Sequence, residues 1–182
     1  MKILVASDLH GSSYYTDILI KRFFDEGADK LILLGDLYYH GPRNALPSGY
    51  ATMECANLLN GIKDKLIAVR GNCDAEVDQM ISEFELLPHY QMDIAGKKAF
   101  FSHGHLYNRH TKPSTSFDIM FLGHEHVGYI IKEGSKIYVN TGSVSLPKND
   151  SPHSYALIND KVISLKQLVS NKEITKITIP KN

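Results

Sequence analysis

Five short apolar runs in this chain each break, within a few residues, into a side chain that can bind a metal ion. Lys2 to Ala6 is followed by Asp8 and His10, and Leu31 to Leu34 by Gly35-Asp36. Leu66 to Val69 leads to Gly71-Asn72, Ala99-Phe100-Phe101 to His103, and Ile119 to Leu122 to His124 and His126. Continuous apolar runs this short read as strands buried on both faces. In parallel α/β arrangements, ligands bind just beyond the carboxyl ends of the strands. The pattern therefore restricts the chain to folds that bring these strand ends to one edge.

The segments between the runs agree with that restriction. Ser12 and Ser13 can cap a helix through about Phe24, with Ile18, Leu19, Phe23 and Phe24 on its apolar face, and Gly27 ends it. The opening is thus a βαβ unit with parallel strands. Tyr38 to Gly49 carries turn chemistry, and a helix is predicted over Tyr50 to Asn60, with Met53, Leu58 and Leu59 apolar. A short helix is expected over Ala75 to Ile81, begun by Asp74 and Glu76, whose charge suits the amino end of its dipole.

After Pro88 the period changes. Hairpins are predicted from Tyr90 to Ser102 and, around Glu133-Gly134-Ser135, from Val127 to Asn140. Further strands follow over Tyr155 to Ile158, Val162 to Leu168 and Ile174 to Ile179. An α/β opening and a β-rich second half argue for two sheets packed face to face with helices outside, in one domain over residues 1–182. A chain of 182 residues, 43% of them hydrophobic, can bury a sizeable core without staples.

Several function classes are disfavoured. The formal net charge is zero, which argues against a general nucleic-acid or membrane-surface binder. The apolar run at Met1 to Ala6 is too short for a signal peptide, and no stretch approaches the roughly 20 residues of a membrane span. The two cysteines, Cys55 and Cys73, lack the paired spacing of a zinc site or disulfide framework. The expectation is a soluble, cytoplasmic protein.

The seven candidate ligands are Asp8, His10, Asp36, Asn72, His103, His124 and His126. One ion takes about four or five groups, so seven suit two ions. Mixed carboxylate, imidazole and amide donors suit Mn, Fe, Zn or Co better than Ca. Two ions about 3.5–4 Å apart clamp an in-line displacement at phosphorus, and a carboxylate is their natural bridge. Each residue alone has a plainer reading, since a strand-end Asp is usually a cap or turn. It is the set that points to hydrolytic phosphoryl chemistry.

Asp8-x-His10, Gly35-Asp36, Gly71-Asn72, Ser102-His103-Gly104-His105 and Gly123-His124-x-His126 resemble, in order and spacing, the calcineurin-like metallophosphoesterases. Gly71-Asn72-Cys73-Asp74, the run His40-Gly-Pro-Arg-Asn-Ala-Leu-Pro47 and the run Asn140-Thr-Gly-Ser-Val-Ser-Leu-Pro-Lys148 look more narrowly like the YfcE-type bacterial phosphodiesterases. The resemblance implies a four-layer αββα sandwich of two mixed sheets flanked by helices. It implies one metal on Asp8, His10, Asp36 and His126, and a second on Asn72, His103, His124 and a bridging Asp36. It implies hydrolysis of a small-molecule phosphodiester by a metal-bound hydroxide, with Asn72 orienting the phosphate. Manganese is the first expectation for both ions, and Zn, Fe, Co or Mg also fit the donors.

Many relatives carry His where this chain has Cys73, and that His helps protonate the leaving group. A thiol is a poor general acid, so a bias toward leaving groups that need little protonation is predicted. His105 is a candidate for part of the missing function. Arg43, Asn44 and Cys73 are candidate substrate contacts. The β-rich half admits a homodimer or homotetramer. Two rival readings remain, a phosphomonoesterase on a nucleotide or phosphoprotein and a protein-interaction scaffold of the same fold. Against a pure scaffold, every ligand position is filled.

Overall fold

The computed structural model describes residues 1–180. In chain order its elements are β1 (Lys2–Ala6), α1 (Ser13–Asp25), β2 (Lys30–Leu33), α2 (Thr52–Asn60), a 3-10 turn (Lys63–Lys65), β3 (Leu66–Val69), α3 (Glu76–Ile81) and β4 (Leu86–Leu87). The β-rich remainder is β5 (Tyr90–Ile94), β6 (Lys97–Phe101), β7 (Ile119–Leu122), β8 (Gly128–Glu133), β9 (Lys136–Thr141), β10 (Ser154–Asn159), β11 (Val162–Gln167) and β12 (Glu173–Thr178).

Two mixed sheets result. One has the order β12-β11-β10-β1-β2-β3-β4 and the other β5-β6-β7-β9-β8. β1 to β4 run parallel, as do β6, β7 and β9. The alternation along each apolar run explains why it carries no polar face. On β1, Ile3 and Val5 enter the core between the sheets, while Leu4 and Ala6 pack under the helices with Leu19, Phe23, Cys55 and Leu59. On β7, Ile119 and Phe121 face the other sheet, and Met120 and Leu122 face outward.

The two mixed sheets with flanking helices anticipated from the sequence are present. Among the described residues the three α-helices lie before residue 82, and each packs some of its apolar residues, such as Leu19, Leu59 and Ile81, on the seven-stranded sheet. The outer face of the five-stranded sheet is covered instead by the segment between β6 and β7, through Phe117 and Tyr107 against Phe100, Met120 and Tyr138. Among the described residues, no helix is long and apolar enough to cross a membrane.

Some local expectations need correction. Ser12 caps α1, its side chain accepting from Tyr15 N–H, but Phe24 is 55% exposed. α2 starts at Thr52 because Tyr50 and Ala51 pair back onto the 10–12 segment, Ala51 N–H donating to Gly11. Its buried face is Cys55, Ala56 and Leu59, and Met53 points to solvent. β4 is two residues long, too short to show a period, yet it extends the parallel sheet beyond β3.

Candidate metal centre and its cleft

Backbone conformation aims the strand-end side chains. Asp8, His10, Asp36, His124 and His126 all have positive φ, between 47° and 68°. This left-handed region costs a residue with a β-carbon about 1–3 kcal/mol and persists only where the surroundings enforce it. Asp8 is held from three sides. Its N–H donates to Gly35, its carbonyl accepts from Ser143 Oγ and Ser145 Oγ, and its Oδ2 accepts from His124 N–H at 3.0 Å. His10 N–H donates to the Asp36 carbonyl at 2.9 Å, so the turns after β1 and β2 are tied together.

Asp74 does not begin α3. Its buried carboxylate accepts from the N–H groups of Gly71 (2.6 Å), Asp36 (2.8 Å) and Leu37 (2.7 Å). It clamps the turn after β2 to the turn after β3. Cys73 N–H then donates to Asp36 Oδ1 at 2.8 Å and sets the rotation of that carboxylate. Gly71 is required by this contact, since a β-carbon there would stand 2.2 Å from Asp36 Oδ1.

The histidines show what the cluster is built to hold. His10 Nδ1–H donates to the carbonyl of Tyr39 at 2.7 Å, His103 Nδ1–H to Leu34 at 2.8 Å, and His126 Nδ1–H to Leu146 at 2.5 Å. A carbonyl can only accept, so each neutral ring presents Nε2 as a lone pair. These lone pairs point at other acceptors. His10 Nε2 and His126 Nε2 are 3.1 Å apart, and His126 Nε2 lies 3.2 Å from Asp8 Oδ1. His103 Nε2 lies 3.0 Å from Asn72 Oδ1, 3.4 Å from Asp36 Oδ1 and 3.2 Å from His124 Nδ1. Asp8 Oδ1 is buried with no hydrogen-bond donor. Acceptors converging in this way repel unless a cation sits among them, so the donor set fits divalent metal ions.

Asp36 joins two groups of donors. Its Oδ2 lies 3.7 Å from His10 Nε2, and its Oδ1 faces His103 Nε2. Asp8, His10 and His126 could hold an ion together, as could Asp8, Asp36 and His103. Asn72 and His124 reach the second group through the contacts to His103 Nε2. All seven candidate ligands are therefore brought together.

The electrostatics draw positive charge to this place. Burial alone would raise the Asp8 carboxyl, yet the close His10 and His126 imidazoles and the charge on His103 hold it well below the usual carboxylate range. Burial works against charge on His103, but the close approach of Asp36, with Asp8 beyond it, outweighs that and raises the imidazole to about 9.

A cleft of about 880 Å³ opens beside the cluster. The candidate substrate contacts Arg43, Asn44 and Cys73 line it. Asn44 Nδ2 is engaged by the His40 carbonyl. Burial, then the Asp36 charge, pushes the Cys73 thiol up to about 12, so it stays neutral, and its Sγ accepts from Asn72 Nδ2 at 3.3 Å. That contact turns Asn72 Oδ1 toward His103. His105 lies off the cleft lining, exposed, with its ring 5.4 Å from that of His103 and 6.2 Å from that of His124. Tyr39 and Lys148 also line the cleft, and neither is assigned a functional role from the sequence. Lys148 ends a motif in a loop after β9 with no strand-end signal, and Tyr39 sits in a tyrosine pair that reads more readily as packing or rim.

Residues 1–161 match the family model for the calcineurin-like phosphoesterase superfamily domain. Phosphodiesterase YfcE of Escherichia coli K12 is 40% identical over 181 residues, covering 98% of each chain. The solved structure of Escherichia coli YfcE, described as a phosphoesterase, covers 99% of this chain and 100% of that one, with a TM-score of 0.95 at 39% identity. Vps29 of Entamoeba histolytica, solved with zinc, shares the fold at a TM-score of 0.62 and 18% identity, covering 99% of this chain and 100% of that one.

Proposed function

Since the chain belongs to the calcineurin-like phosphoesterase superfamily, we propose that it is a phosphodiesterase that works with two divalent metal ions. The observation that carries this reading is the division of Asp36, one oxygen facing His10 and the other His103, between two groups of lone-pair donors. Asp8, His10, Asp36 and His126 would hold one ion, and Asp36, Asn72, His103 and His124 the other. Manganese is the first choice, with Zn, Fe, Co and Mg compatible with the same donors. Bound there, such a pair lowers the pKa of a water toward neutrality and neutralises charge on the phosphate oxygens.

The chain's own side chains do the rest. Asn72 sits at the cleft wall with its amide oxygen toward His103 and its amide nitrogen toward Cys73, so it orients the phosphate. Arg43 lines the cleft with no carboxylate partner among the described residues and is free to meet an anionic group of the substrate. The neutral Cys73 thiol is a weak proton donor, which favours esters whose leaving group needs little protonation. The 40% identity to a protein named phosphodiesterase supports diesters over monoesters.

The test is hydrolysis of a chromogenic diester and its monoester by metal-stripped protein, with Mn, Mg, Zn or nothing added back. Diester turnover only with metal, lost in Asn72→Ala, is expected. No turnover with ions bound would overturn the reading in favour of a binding scaffold, and faster monoester turnover would make the protein a phosphomonoesterase.

A further inference from the structure

The cleft is larger and more cationic than a simple diester requires. Two divalent ions against Asp8 and Asp36 would already outweigh the single charge of a phosphodiester. Yet Arg43 and Lys148, from loops on either side, both line the cleft, and neither has a carboxylate partner among the described residues. The acid on the same wall, Glu125, pairs with neither cation; its Oε1 accepts from Tyr129 Oη at 2.8 Å and Asn140 Nδ2 at 3.3 Å. Unpaired cations beyond the charge of the reacting group point to a second anionic group on the substrate.

The same cleft has an exposed aromatic ring in its wall. Tyr39 lines it and is 42% exposed. Its ring is braced by His40, at 4.8 Å and 67°, and His40 is braced in turn by Tyr50, at 5.4 Å and 84°. The Tyr39 carbonyl accepts from His10 Nδ1–H. The backbone that carries the ring is thus hydrogen-bonded to a candidate metal donor, which ties the platform to the centre. Exposed aromatics held in this way bind heterocyclic bases by stacking.

Resting on the phosphodiesterase reading, we infer that the substrate is a small nucleotide-type diester whose base stacks on Tyr39 and whose second phosphate meets Arg43 and Lys148.

Three esters with one leaving group separate the contributions: methyl p-nitrophenyl phosphate, thymidine 5′-(p-nitrophenyl phosphate), and the same thymidine ester carrying a 3′-phosphate. With manganese-loaded protein, kcat/KM should rise about tenfold from the methyl to the thymidine ester, a typical value of one stacked base. It should rise again on adding the 3′-phosphate. Tyr39→Ala should abolish the first gain, chiefly through KM, and Tyr39→Phe should keep it. Arg43→Ala and Lys148→Ala should each reduce the second. Equal rates for all three esters in the unaltered protein would overturn the inference while leaving the phosphodiesterase reading in place. So would a Tyr39→Ala variant that keeps the ratio of thymidine to methyl ester. No turnover of any ester would overturn both.

Discussion

The two halves of the candidate metal centre are built differently. The inner group, Asp8, His10, Asp36 and His126, is buried, and all four residues have positive φ. The outer group shares Asp36 and adds a buried His103, a half-buried His124 and an exposed Asn72. Of these three additions only His124 has positive φ. The inner donors are therefore fixed by the backbone itself, through turns tied to one another and to the Ser143–Ser145 segment. The outer donors are reached by side chains at the wall of the cleft. Preorganised donors lose less freedom on binding, so the inner ion should be the tighter and the outer ion the exchangeable one.

The largest effect should come from the residue that belongs to both halves. In Asp36→Asn only one oxygen remains and the charge is gone, so metal content should fall to one ion or fewer and diester turnover by on the order of a thousandfold. Elemental analysis and initial rates check this, and two ions retained at full activity would break the division. Asn72→Ala touches only the outer half. It should lose about a hundredfold in rate and release one ion to a chelator while keeping the other. Loss of both ions together would show that the halves are not independent.

Cys73 lines the cleft beside the outer half, against Asn72. Cys73→His should raise turnover about tenfold for diesters with poor leaving groups and less for p-nitrophenyl esters, flattening the dependence of rate on leaving-group pKa. An equal change for both classes would sever Cys73 from proton transfer. The smallest effect is on stability. In metal-free protein the folded His103 titrates at about 9 against an ordinary 6.5. A raised pKa stabilises the fold fully below pH 6.5, and that contribution is lost as pH rises through 9. The metal-free melting temperature should therefore fall by about 4 °C or more between pH 6.5 and 9.5. Manganese-loaded protein should show a smaller fall, and equal falls would contradict the placement of His103 among the donors.

Much of this centre can be read from the chain, because its ligands fall at strand ends and the strands are apolar on both faces. Asp8, Asp36, His103 and His124 follow β1, β2, β6 and β7 closely enough for the pattern to appear without coordinates. What supports them is not periodic. Asp74 reads as a helix start, since an acid before a helix usually is one, and only the fold brings the turns after β2 and β3 within its reach. The left-handed turns at Asp8 and His10 are likewise invisible, because nothing in a carboxylate or imidazole calls for positive φ. Phe24 and Met53 mislead in the opposite direction, with apolar side chains at helical spacing that face solvent. Tyr39 and Lys148 become a pair with Arg43 only once separate loops meet at one cleft.

The donors come from both sheets, with Asp8, Asp36 and Asn72 after strands of one and His103, His124 and His126 after strands of the other. An ion shared by His10 and His126 would tie together residues 116 apart in the chain. The chain's cysteines are both free, so it has no covalent tie of its own. A link of that span, if it were a disulfide, would restrict the unfolded chain by about 4–5 kcal/mol. A metal link differs in being reversible and in holding only the folded form, so its strength is set by the free ion concentration. The metal supply would then govern not only how fast this protein works but how long each copy of it survives.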